Sequence, residues 1–129
     1  MNKRVVLEGE VVHGRRLGSE IGFPTANIVF RDESVEKGVY AVLVTMDGKS
    51  YRGVANIGKR PTVALDGELW AEVNIFGFDR DIYGKKIRVE TVAFIRPEKK
   101  FDSVEDLKRA ILSDVRTAGE IFYKMSQSQ

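Results

Sequence analysis

Along the first three-quarters of this chain apolar and polar residues alternate with a period of two; the last quarter switches to a helical period. Residues 4–13 (RVVLEGEVVH) are rich in β-branched side chains and stop at Gly14. A polar, glycine-bearing stretch over 14–22 (GRRLGSEIG) reads as a loop ended by Pro24, after which 25–30 (TANIVF) is extended again. Segments 39–46 and 51–57 flank Asp47-Gly48, the residue types of a tight hairpin turn. Asp66-Gly67 signals another turn ahead of 69–76, where Leu69, Ala71, Val73 and Ile75 alternate with Trp70, Glu72, Asn74 and Phe76. Past a turn at Tyr83-Gly84, strict alternation over 86–95 puts Ile87, Val89, Thr91, Ala93 and Ile95 on one face.

The helix is announced by Ser103 with Asp106 three residues on, a capping-box-like start. Val104, Leu107, Ala110, Ile111, Val115, Ala118, Ile121 and Phe122 then form its apolar stripe. Gly119 within it costs about 1 kcal/mol relative to Ala. The tail 124–129 has no pattern and is expected to fray, leaving a core over about 4–123 of one domain spanning 1–129. Short strands at close intervals favour closure, because a barrel has no exposed edges. The expected fold is all-β with one C-terminal helix, a six-stranded antiparallel closed β-barrel.

Composition narrows the chemistry. With no cysteine and one histidine, His13, thiolate zinc sites, disulfides, cysteine nucleophiles and a Ser-His-Asp triad fall away. No apolar run approaches the roughly 18 residues of a membrane span, and the charged start is unlike a signal peptide, so a cytoplasmic location and no membrane partner are expected. The net charge of +2 lacks the basic excess of a dedicated nucleic-acid binder. Gly58-Lys59 has neither the upstream glycine spacing nor the following Ser/Thr of a phosphate loop.

Three stretches could carry function. Glycines at 14, 18 and 22 would let backbone N–H groups approach phosphate oxygens, with Arg15 and Arg16 adding charge. Thr25 and Asn27, two apart in an extended segment, point the same way and offer neutral oxygen ligands suited to Mg²⁺ on a nucleotide; an ordinary glycine-rich turn fits the same residues. Glu72 shares a strand face with Trp70 and Asn74, and is either an exposed strand carboxylate or a proton acceptor in a pocket. Arg96, Lys99 and Phe101 lie between the last strand and the helix, either as a solvated connection or as charged and apolar contacts for a planar ligand.

Taken together, GEVVHG at 9–14, GFPTANI at 22–28, GVYAV at 38–42, ANIGKRPT at 55–62, AEVNI at 71–75, DIYG at 81–84 and IRPEKKFDSVEDL at 95–107 resemble, in order, the riboflavin kinase (flavokinase) family. The resemblance covers about Gly9 to Tyr123 and is similar to the C-terminal module of bacterial bifunctional riboflavin kinase/FAD synthetase. It implies a Greek-key-type barrel and transfer of the ATP γ-phosphoryl group to the 5′-hydroxyl of riboflavin, giving FMN and ADP. By the same resemblance Glu72 is the catalytic base, and Thr25 and Asn27 bind Mg²⁺ or another divalent metal. Gly14, Ser19, Thr25, Asn27, Ile75 and Tyr83 would serve ATP, and Arg96, Lys99 and Phe101 riboflavin or FMN. An FMN adenylyltransferase domain in a longer native chain is the implied partner. Ser19 and Glu20 stand where many relatives carry Lys or Arg. The alternative is a non-enzymatic flavin-binding or oligonucleotide-binding barrel.

Overall fold

Alternating stretches become strands wherever the computed structural model describes the chain, which is over residues 4–12, 25–31, 34–59, 68–78 and 80–128. The strands are β1 (Val6–Glu10), β2 (Ala26–Arg31), β3 (Gly38–Met46), β4 (Lys49–Gly58), β5 (Glu68–Ile75) and β6 (Lys86–Arg96); helix α1 (Val104–Gln127) follows. All pair antiparallel in the order β1-β6-β3-β4-β5-β2. Between β1 and β2 the ladder thins to one bridge, Val12 to Asn27, with Gly9 packed on Ile28, so the barrel is nearly closed. The β3–β4 turn has positive φ at both central residues, 52° at Asp47 and 76° at Gly48, the twist-matched hairpin geometry that glycine favours. The turn signal at Asp66-Gly67 lies outside the described residues.

Two apolar layers result. Ile28, Val42, Val44, Ile57, Val73, Ile87 and Val89 fill the barrel interior. Val39, Ala41 and Val54 point outward instead and pack under Ala118 and Phe122 of α1. No helix among the described residues is long and apolar enough to cross a membrane.

Strand β6 departs from the single alternating face expected of it. Its register against β3 shifts twice, because Ala41 faces Ala93 while Val42 faces Thr91, and Val39 faces Arg96 while Tyr40 faces Phe94. Val92 and Ile95 are the extra residues of two bulges, and both pack toward the helix. Ile87 and Val89 stay inside with Phe94 against them, whereas Ile95 and Arg96 end on the outer surface.

At its start α1 is capped as expected, with the Ser103 hydroxyl accepting from the Asp106 N–H at 3.1 Å. At its end it continues to Gln127, past the point where fraying is expected from the sequence. Ser126 and Ser128 hydroxyls donate to the carbonyls of Tyr123 and Lys124, and Met125 packs on the outer apolar layer. Gly119 has open space where a Cβ would sit. Gly119→Ala should therefore stabilise the protein by about 0.5–1 kcal/mol, read as a higher denaturant midpoint at constant m.

Candidate active site

Register, not sequence proximity, assembles the site. Asn27 stands opposite Glu72, Glu72 opposite Asn56, Asn56 opposite Val39, and Val39 opposite Arg96. Directly opposed residues in antiparallel strands share a face, so these five form one row across β2, β5, β4, β3 and β6. Val39 belongs to the layer under the helix, which puts the row on the outside of the barrel.

A pocket of about 730 Å³ opens over this row. Thr25, Asn56, Glu72 and Asn74 line its polar side; Val39 and Val54 form part of its floor. Leu107, Ile111 and Val115 from the first half of α1, together with Phe101, make its apolar wall. The helix thus serves two purposes: its second half packs on the barrel, and its first half stands over the cavity.

Thr25 and Glu72 meet, the threonine hydroxyl donating to the Glu72 carboxylate at 3.4 Å. Glu72 is half-buried and Asn27 buried. Arg96 and Lys99 both line the pocket, and their cationic groups lie 5.6 and 5.8 Å from the centre of the Phe101 ring. The Arg96 guanidinium is already engaged. Its Nε and Nη2 donate to the two Asp114 carboxylate oxygens at 2.8 Å each, and its Nη1 to the Pro97 carbonyl at 3.1 Å.

Other candidates fall elsewhere. Gly14 and Ser19 lie outside the described residues. Ile75 is buried in the barrel interior, on the face opposite Glu72, and is not a lining residue of this pocket. Tyr83 sits at an exposed turn away from the pocket lining, tied through Gly84 N–H to the Val11 carbonyl.

Asn56, Asn74 and Asp114 line the pocket without having been singled out from the sequence. Asn56 needs the β4–β5 register to be found. Asp114 carries a readable signal: it falls between Ile111 and Ala118 on the apolar stripe, where a carboxylate requires a partner.

Beyond Arg96 the wall is seated a second time. The Glu98 carboxyl lies against Gly58, in the space a Cβ at that position would need. Desolvation pushes the Glu98 pKa up, with Lys37 opposing. A carboxyl raised on folding adds stability below its unfolded pKa and loses that contribution as pH rises through the folded value. The protein should lose a small increment of stability across this interval, and Glu98→Gln should not. In an NMR titration Gly58→Ala, which unseats the carboxyl, should return the Glu98 pKa toward its ordinary value.

Six antiparallel strands in a nearly closed barrel, with an external pocket under the C-terminal helix, define the class of fold. The family profile described as Flavokinase, riboflavin kinase, matches residues 1–122, and the chain belongs to that family. It is 49% identical over 116 residues to a bifunctional riboflavin kinase/FMN adenylyltransferase of Haemophilus influenzae, covering 88% of this chain and 37% of the relative. A solved Streptococcus pneumoniae structure titled a macrolide-efflux protein superposes with a TM-score of 0.77 at 41% identity, over 88% of this chain and 38% of that one. Riboflavin kinase from Trypanosoma brucei superposes with a TM-score of 0.66 at 28% identity, over 95% and 82%. The chain spans about half the length, or less, of the first curated relatives it matches.

Proposed function

We propose that this chain is a riboflavin kinase, transferring the γ-phosphoryl group of ATP to the 5′-hydroxyl of riboflavin. The observation that carries the reading is the Thr25–Glu72 pair at 3.4 Å, on the rim of a pocket whose opposite wall is apolar and aromatic. In this reading Glu72 accepts the proton of the riboflavin hydroxyl as its oxygen bonds to the γ-phosphorus. The bond from that phosphorus to the β–γ bridging oxygen breaks, and ADP leaves. Such a transfer asks mainly for in-line positioning and charge neutralisation.

Thr25 and Asn27 fit a divalent cation, Mg²⁺ in the first instance. A hydroxyl and an amide carbonyl are hard neutral donors, and Asn27 is placed directly across from the Glu72 carboxylate. When bound, the cation supplies neutralisation of charge on the nucleotide phosphates. Gly14, Ser19, Ile75 and Tyr83 would serve the nucleotide by the family resemblance, and the turn that carries Tyr83 is hydrogen-bonded through the Gly84 N–H to the Val11 carbonyl. Lys99, Phe101 and Arg96 would flank the flavin ring, in a pocket shared with Glu72. We further propose, from the bifunctional relatives, that this kinase works beside an FMN adenylyltransferase domain in a longer cytoplasmic protein.

No observation favours a non-enzymatic barrel. An oligonucleotide binder needs an aromatic platform, but Phe76 is packed against the helix-side layer. Incubating the protein with riboflavin, ATP and Mg²⁺ should yield FMN on chromatography; binding without turnover would make it a flavin carrier. Glu72→Gln, verified as folded, should lower kcat by roughly 10²–10⁴-fold, and a loss below about tenfold removes Glu72 as the base.

A further inference from the structure

Asp114 is a buried carboxylate for which the proposed phosphoryl transfer has no direct use. It stands on α1 and faces the pocket, yet both of its oxygens are turned onto Arg96. Arg96 is the outermost residue of β6, brought to the outer surface by the bulge at Ile95. One guanidinium is therefore held from three directions: Asp114 on the helix, the Pro97 carbonyl behind it, and the Phe101 ring 5.6 Å away.

We propose that Asp114 is a positioning residue, which fixes Arg96 so that the Arg96–Phe101 wall is preformed for the flat, uncharged ring of the flavin. The inference rests on the riboflavin kinase reading. A planar guanidinium engaged at two points loses its freedom to rotate, and the partner carboxylate cancels its charge. Without that carboxylate, a long mobile cation would line a pocket that also receives phosphates, and it would be drawn toward them. With it, the Arg96 charge is neutralised and its guanidinium is held rigid beside the Phe101 ring, which suits a flat ring.

The test is steady-state kinetics on the whole chain with Asp114→Asn, which keeps the shape and removes the charge. The riboflavin KM should rise about tenfold, while the ATP KM stays within about twofold and kcat within about threefold. Arg96→Lys, which keeps a cation but loses the planar fork, should give the same split. The double variant should be no worse than the more affected single one, since both remove one interaction. An unchanged riboflavin KM overturns the proposal. So does a parallel rise in both KM values, the mark of a merely structural role. Should Asp114→Asn fail to fold, Arg96→Lys decides by the same criterion. Quenching of riboflavin fluorescence gives affinity without turnover, so a parent protein that binds but makes no FMN fails the kinase reading alone. In that event, equal riboflavin affinity in parent and variant overturns the Asp114 proposal separately.

Discussion

The pairing of Arg96 with Asp114 ties the last residue of β6 to the middle of α1, and the geometry of the pocket follows from it. Arg96 has the same parity as Phe94, which points into the barrel; without the extra residue at Ile95, Arg96 would point inward too. The bulge turns it out beside Val39, and the helix meets it there with its buried carboxylate. Breaking such a pair from one side costs about 3–5 kcal/mol, whereas exchanging both partners for apolar residues is often neutral. Its value therefore lies less in net stability than in specifying one placement of the helix and of the chain leaving β6. Every lining residue from Phe101 to Val115 depends on that placement.

Local pattern reached far into this fold. A period of two finds each strand, Asp47-Gly48 finds the hairpin, and Ser103 with Asp106 finds the helix start. On the polar side, alternation alone puts Thr25 and Asn27 on one face of β2 and Glu72 on the outward face of β5; pairing of the two strands then joins them. The remaining features depend on information that no single segment holds. A bulge inserts one residue into a ladder, and only the partner strand reveals it, so the alternation of Ile87, Val89 and Thr91 extends wrongly to Ile95. Asn56 becomes a neighbour of Glu72 through the register of β4 on β5, set by the whole sheet. The helix runs beyond its apolar stripe to Gln127, where Ser126 and Ser128 hydroxyls donate to carbonyls of the preceding turn, an effect hydrophobic periodicity does not record.

Placing the pocket outside the barrel is a consequence of strand number. Even eight strands enclose a space that side chains can fill, and six enclose less. Here Ile28, Val42, Val44, Ile57, Val73 and Val89 occupy it, all of them fully buried. A flat ring of several fused cycles has nowhere to go inside. It needs an outer wall, and a bare sheet face gives too little enclosure to hold it. The helix and the segment leading into it supply the missing side, and Leu107, Ile111 and Val115 stay only partly covered because they face the cavity rather than the barrel. A carboxylate on the sheet can then sit across from apolar side chains on the helix, which gives a barrel with a packed interior an outer pocket where a polar group and an apolar wall face one another.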